Sequence, residues 1–312
     1  MKKRIKTIFV VGPTASGKTA LSIELAKEFD GEVISADSMQ IYKGIHIASA
    51  APDESEKCGI KHHLIEFLET DQQFSVADYV KLARELIEKI SLSGKTPIVV
   101  GGTGLYINAL LDNTEFIESE TNLELRAELE NMFDEIGGEK MLEKLALFDK
   151  ETATRLHPNN RRRIIRAFEV YKTTGKTVTE QNLLSHEKDF GITPLVLGIT
   201  YNDRELLYER INRRVDNMIE NGLLQEAKTT FGNGKNKGAF QAIGHKELYG
   251  YLKGEISLQE AVECLKQQTR RYAKRQLTWF RRDERIVWLH PDICPDYTDH
   301  ALCKARHFLK EE

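Results

Sequence analysis

The segment Gly12-Pro13-Thr14-Ala15-Ser16-Gly17-Lys18-Thr19 constrains what this chain can fold into more than any other stretch. It satisfies GxxxxGK followed by Ser or Thr, and it has the flanks that this motif requires. Before it, residues 6–11 (KTIFVV) are apolar and β-branched, the pattern of a parallel strand buried on both faces. After it, residues 20–29 (ALSIELAKEF) combine helical periodicity with strong helix formers. A strand, a glycine-rich turn and a helix aim several backbone N–H groups at one point, at the positive end of the helix. That point suits phosphate oxygens. Lys18 adds a point charge toward terminal phosphates, and Thr19 offers a hydroxyl to Mg²⁺. The predicted fold class is α/β, with a parallel sheet core like that of the P-loop nucleoside triphosphatases, and Gly12 to Thr19 is a candidate diphosphate- or nucleotide-binding loop.

The motif leaves the phosphate compound open. A nucleoside triphosphatase normally adds an apolar strand ending in an acidic residue that helps to hold Mg²⁺. The next obvious buried strand, residues 96–100 (TPIVV), runs instead into Gly101-Gly102-Thr103-Gly104. An earlier strand, residues 32–36 (EVISA), does end in a carboxylate, at Asp37-Ser38. Loops that follow the strands of a parallel sheet gather at its carboxyl edge, so Asp37, Thr103 and the phosphate loop are expected to converge. Asp37 then fits a Mg²⁺-organising acid, a general base, or the cap of a following helix.

Residues 1–112 alternate strands and helices, whereas residues 113–194 are charged and almost devoid of strand signal. A buried strand returns at residues 194–200 (PLVLGIT), followed by helices. This pattern predicts a sheet core built from residues 1–112 and 195–312, interrupted by an all-helical insertion domain at 113–194. Residues 203–228 read as one long amphipathic helix on which Arg210 and Arg214, four apart, share a face. An Arg on that face reaches a phosphate site or pairs with a surface Glu.

The net charge of −3, from 45 basic and 48 acidic residues, says little about partners, because distribution matters more than the sum. Two tracts are locally basic. In residues 155–176, Arg161, Arg162, Arg163, Arg166, Lys172 and Lys176 are opposed within the tract only by Glu169, while Ile164, Ile165, Phe168 and Tyr171 supply an apolar face. In residues 269–282 (TRRYAKRQLTWFRR), six basic residues are interleaved with Tyr272, Trp279 and Phe280. Cations bind phosphates and aromatics stack on bases, the chemistry of loop RNA recognition. Either tract alone also fits a solvated helix face; two beside a phosphate loop favour nucleic acid. Four cysteines without a CxxC pair make neither a disulfide framework nor a common zinc site. Cys294, His300, Cys303 and His307 cluster near the C-terminus, but their spacing fits a helix with incidental polar residues better than zinc. The basic start followed by a short apolar run is too brief for a signal peptide, and no stretch is long enough to span a bilayer. The expectation is a soluble, cytoplasmic protein that works as a monomer.

Six segments, in order, resemble one family. GPTASGKT, ISADSMQIYKG, VGGTGLYINALL, HPNNRRRIIRAFEVY, AIGHKEL and RRYAKRQLTWFRR look like those of the tRNA dimethylallyltransferases, over residues 8 to 290. The resemblance implies transfer of a dimethylallyl group from dimethylallyl diphosphate to N6 of adenosine 37, beside the anticodon, with a helical insertion gripping the anticodon stem-loop. It implies catalytic roles for Asp37 as general base, Lys18 and Arg214 at the leaving diphosphate, and Thr103 near diphosphate and target base, with Mg²⁺ on Thr19. Positions that match family contacts to tRNA are Asp37, Ser38, Met39, Gln40, Thr103, Arg126, Arg161, Arg162, Arg163, Ile164, Ile165, Arg166, Gln241 and Lys246. Some bacterial relatives carry Arg where this chain has Gln241 and Lys246, which changes the anticodon-loop contacts and not the reaction. Rival readings are a P-loop small-molecule kinase, an isopentenyltransferase acting on free adenylate, and an RNA-binding module with a vestigial phosphate loop.

Overall fold

The computed structural model describes residues 4–114, 122–185, 190–232 and 242–311. Its sheet has six parallel strands in the order β3-β2-β4-β1-β5-β6: β1 (Ile5–Val11), β2 (Gly31–Ser35), β3 (His62–His63), β4 (Thr96–Gly101), β5 (Ile192–Ile199) and β6 (Ile286–Leu289). The central strand β1 pairs Ile8 with Ile98 of β4 and Leu195 of β5. Alternate residues explain why these strands read as unbroken apolar runs. Ile8, Val10, Ile98, Leu197 and Ile199 pack with Leu21, Leu25 and Ala26 of α1 (Lys18–Glu28) and with Ala301 and Ala305 of α14 (Tyr297–Lys310). Phe9, Ile34 and Val99 are equally buried, and α4 (Val76–Leu92) packs on β1, β2 and β4. A strand covered on both faces has no solvent side to carry polar residues.

The chain divides into two compact units, Met1–Asn108 with Gly191–Glu312, and Ala109–Phe190. The second is helical: α6 (Leu123–Ala146), α7 (Lys150–Arg155), α8 (Arg161–Thr174) and α9 (Val178–Ser185). Gly137, at φ 77° and ψ 167°, breaks α6 into two helical stretches. A Cβ on the adjacent Gly138 would lie 2.1 Å from the Pro158 carbonyl oxygen, so glycine is needed for that close approach. Leu129, Met141, Leu145, Ile164, Ile165 and Phe168 form this unit's core.

The single helix expected over residues 203–228 is two, α10 (Arg204–Glu220) and α11 (Leu223–Gly232), separated at Asn221-Gly222 where Gly222 takes φ 98°. Left-handed backbone at a glycine is an ordinary helix terminator. Then come α12 (His245–Leu252) and the long α13 (Leu258–Phe280). Leu207 and Ile211 of α10 pack with Ala273 of α13, and Ala15 of the phosphate loop lies against them. The apolar stripe of α10 thus faces α13 while Arg210 and Arg214 lie at the phosphate loop. Among the described residues, no helix is long and apolar enough to cross a membrane.

Candidate active site

The phosphate loop leaves β1 at Gly12, where φ is 145° and an added Cβ would strike the Ile199 carbonyl oxygen at 2.4 Å. It enters α1 through Gly17 at φ 101°, and no side chain caps that helix. Its first N–H groups therefore remain for a ligand. Ser16 is buried, and its hydroxyl has no hydrogen-bond partner among the described residues. An orphaned hydroxyl inside such a loop is costly unless an acceptor arrives, which fits a phosphate oxygen.

Lys18 donates to the Pro13 carbonyl at 2.6 Å. Although part of its side chain reaches solvent, its ammonium is desolvated, and the nearby Arg214 charge opposes it further; Asp37 offsets only part of this. Its pKa falls to about 7. Burial also acts against the charge on Arg214, countered by Asp37 and Glu56. Two cations held this close with one carboxylate form a site short of negative charge. Arg210 donates through Nε to the Ala15 carbonyl at 2.9 Å and holds the loop from α10.

A cavity of about 340 Å³ joins this cationic corner to an apolar wall. Lys18, Thr19, Asp37 and Arg214 line one part; Val33, Ile65, Val100, Val215, Met218 and Leu265 line another. Thr14, Ser38, Met39 and Gln40 also line it, so the convergence expected at the carboxyl edge takes place. Asp37 caps no helix, because irregular turns follow it and the next helix, α2 (His46–Ser49), begins nine residues later. Its Oδ1 accepts the Met39 N–H at 2.9 Å, a local turn bond. Thr103 adjoins through Ser38, whose N–H donates to Thr103 Oγ1 at 3.1 Å. Tyr272 of α13 lies beside the side chains of Thr103 and Gln276, and burial, reinforced by the Asp37 charge, pushes its hydroxyl pKa well up. Tyr272 therefore stays neutral.

Several expected contacts are used internally instead. The Gln40 amide accepts from Ser35 Oγ at 2.7 Å and donates to the Ala50 carbonyl at 3.1 Å, so it braces the cavity wall. Ile164 and Ile165 are 0% and 1% exposed, so their side chains belong to the helical core and only their backbone is left for a partner. Arg161 pairs with Asp134, and Arg126 bonds with Glu130 and the buried Glu169 at 3.2 and 3.3 Å. The tract from Arg161 is therefore opposed by acids of α6, and Arg166 also meets Glu169 at 3.4 Å. Arg162 and Arg163 are exposed and have no acidic partner among the described residues. In the α13 tract, Phe280 is in the core and Trp279 packs on Gly104 and donates to Asn108 Oδ1 at 3.2 Å, so neither aromatic stands out as a stacking platform. Lys246 is exposed at the start of α12, whereas Gln241 lies outside the described residues.

Three polar residues that shape this site escaped the sequence reading, Gln276, Glu226 and His245, while Tyr272 was read only as an aromatic of the basic tract. Glu226 accepts from the N–H groups of Ile47 and Ala48 at 2.7 and 2.9 Å and meets His245 Nε2 at 2.9 Å, which fixes the α2 segment of the cavity wall. For a divalent cation the chain offers the Thr19 hydroxyl and the Asp37 carboxylate in one cavity. Among the described residues no cluster of three or more His, Cys, Asp or Glu side chains is suited to a metal. Such a sparse set fits Mg²⁺, which keeps waters and takes its remaining ligands from substrate phosphates.

Comparison with known proteins agrees with this geometry. A family model described as IPP transferase matches residues 40–283. A tRNA dimethylallyltransferase of Alkaliphilus oremlandii is 50% identical over 311 residues, covering 99% of this chain and 98% of the relative. One from Thermoanaerobacter sp. (strain X514) is 46% identical over 298 residues, covering 95% of each. The crystal structure of the full-length tRNA isopentenylpyrophosphate transferase from Bacillus halodurans superposes with a TM-score of 0.73 at 40% identity, covering 98% of this chain and 97% of that one. A eukaryotic dimethylallyltransferase acting on tRNA gives 0.83 at 31% identity, covering 98% of this chain and 81% of its own. With identity of this degree running through nearly the whole chain and through the phosphate-loop core, the chain belongs to the IPP transferase family.

Proposed function

We propose that this chain transfers a dimethylallyl group from dimethylallyl diphosphate to N6 of adenosine 37 of tRNA, releasing diphosphate. The observation that carries the reading is the cavity itself, whose lining combines the cations and hydroxyl of Lys18, Arg214 and Thr19, the Asp37 carboxylate and apolar side chains. An allylic diphosphate has the same polarity, and its acceptor must be a nucleophile that loses a proton.

Breaking the carbon–oxygen bond develops positive charge on the prenyl carbon and negative charge on the departing oxygen. Lys18, Arg214 and the uncapped N–H groups at the start of α1 stabilise that oxygen. Mg²⁺, held by the Thr19 hydroxyl, would supply further charge neutralisation there. The apolar wall accepts the prenyl group and keeps water from the cation. The exocyclic amine is a poor nucleophile, so Asp37 orients it and takes its proton as the N6–carbon bond forms. Thr103, which accepts the Ser38 N–H, lies beside that carboxylate and fixes the base's edge. The adenine leaves the anticodon-loop stack to reach the cavity. Ser38, Met39 and Lys246 in the sheet unit, and Arg126, Arg161, Arg162, Arg163 and Arg166 in the helical unit, supply contacts to the anticodon stem-loop. Cytoplasmic location and a monomeric state belong to the same reading.

The test is mass spectrometry of unmodified tRNA carrying an adenosine 3′ to the anticodon, after incubation with protein, Mg²⁺ and dimethylallyl diphosphate. The expected product gains one dimethylallyl group on that adenosine. Transfer to free AMP with none to tRNA, or ATP-dependent phosphorylation without prenyl transfer, would overturn the proposal.

A further inference from the structure

Gln276 is a buried polar side chain that the chemistry above does not use. It is 5% exposed, and both ends of its amide are engaged: Oε1 accepts the Thr14 N–H at 2.9 Å, and Nε2 donates to the Gly102 carbonyl at 2.9 Å. Thr14 belongs to the phosphate loop, and Gly102 to the turn that carries Thr103. The strands beneath are paired, but the β1–β4 register ends at Val11 and Gly101. Beyond that point the amide of Gln276 bridges the two loops. Tyr272, one turn earlier on α13, lies beside both Gln276 and the Thr103 side chain.

Gly102 records how close this bridge is. A Cβ there would lie 2.1 Å from Gln276 Nε2, and the backbone of Gly102 is not left-handed. The demand for glycine therefore comes from the amide and not from the turn. A side chain held from both sides in a buried position has no room to swing away, so its hydrogen-bond geometry is fixed.

We propose that Gln276 is a positioning residue that sets the spacing between the diphosphate on the phosphate loop and the acceptor amine at Asp37 and Thr103. This rests on the prenyl-transfer reading above. Loss of the bridge leaves each loop able to bind its own ligand but relaxes their separation. In a reaction between two bound partners, a displacement of about 1 Å costs on the order of a hundredfold in rate.

The experiment measures single-turnover prenyl transfer at saturating substrates, affinity for a non-reactive dimethylallyl diphosphate analogue, and thermal midpoint, all on the same proteins. Gln276→Leu should lower the transfer rate roughly 30- to 100-fold while donor affinity stays within about threefold. Gln276→Glu keeps the acceptor for Thr14 but turns an oxygen toward the Gly102 carbonyl, and should lose rate similarly if the leucine variant fails to fold. Gly102→Ala should slow the wild-type background and have little further effect in Gln276→Ala, where the added methyl has space. Transfer by Gln276→Leu at the wild-type rate, or a loss matched by an equal loss of donor affinity, would overturn the proposal. Additive effects of Gly102→Ala and Gln276→Ala would do the same. Wild-type protein inert toward tRNA would overturn both readings, whereas an active wild type with an indifferent Gln276 would overturn this one alone.

Discussion

Raising the pH through neutrality should weaken diphosphate binding by way of Lys18. Desolvation and the Arg214 charge lower this ammonium to a pKa of about 7, and Asp37 offsets only part of the shift. A bound diphosphate supplies anionic oxygens that hold Lys18 protonated, so its pKa rises on binding. Linkage then fixes the sign. Above about pH 7 the free site carries fewer protons than the complex, so affinity falls as pH rises and is flat below. Between about pH 6 and about pH 8 the loss is roughly tenfold, and near neutrality about half a proton is taken up per diphosphate bound. Lys18→Arg keeps its cation throughout this range and should lack the slope. Isothermal titration of the non-reactive donor analogue, in two buffers of different ionisation enthalpy and on both proteins, reads affinity and proton uptake together. The ligand's own ionisation is common to the two proteins and cancels in their ratio. A ratio that stays constant from pH 6 to pH 8, with equal proton uptake, would refute the reasoning and mean that Lys18 is fully protonated in the empty cleft.

Four further outcomes are expected. Asp37→Ala should lower single-turnover transfer by about 10²- to 10⁴-fold, the usual worth of a general base, with donor-analogue affinity nearly retained; near-wild-type turnover would remove Asp37 from that role. Replacing Arg162 and Arg163 by Ala should raise the tRNA Michaelis constant and reduce the slope of log affinity against log salt by about 1 for each phosphate no longer neutralised; an unchanged slope would make them a solvated face. Ile164→Ala should destabilise by roughly 2–5 kcal/mol in chemical denaturation, because it opens a cavity in the helical core; a shift within error would contradict that packing. Glu226→Ala should leave the Ile47 and Ala48 N–H groups and His245 without their shared acceptor, and hydrogen exchange at residues 46–50 should accelerate; unchanged protection there would show that the segment is held otherwise.

How much of this was legible in the sequence follows from the range of the interactions. The phosphate loop is local, so its strand, turn and helix were read within two residues of their ends. The strands β4 and β5 were also evident, because burial on both faces makes them largely apolar runs, and β2 was evident from Val33-Ile34 despite its Glu32. The edge strands β3 and β6 were missed: two and four residues long, they carry no periodicity and are strands because a neighbour offers an open edge. The division of α10 from α11 was written in Asn221-Gly222 and was overridden by the amphipathic pattern on either side. Arg214 stood out only by its spacing from Arg210 and by family resemblance. Gln276 gave no signal, since its partners Gly102 and Thr14 lie 174 and 262 positions away. Trp279 and Phe280 misled for the complementary reason: composition shows an aromatic among cations but not which side of the helix the packing takes. The same holds for Arg161 of α8, whose acidic partner Asp134 sits on α6.

The placement of β5 has a consequence for how the protein is made. The strand that flanks β1 opposite β4 begins at Ile192, after the whole helical unit, and the carbonyl of Ile199 is the atom that crowds Gly12. On a ribosome, β1, β2 and β4 emerge with one side of their central strand unpaired. That edge stays open until Ile199 has been added, and α14 must appear before the α1 side is covered. The helical unit, whose contacts are local, can consolidate in the meantime. The phosphate loop is therefore among the first segments synthesised and among the last to take its working shape, and slowed elongation just after Ile199 would be expected to favour recovery of native enzyme.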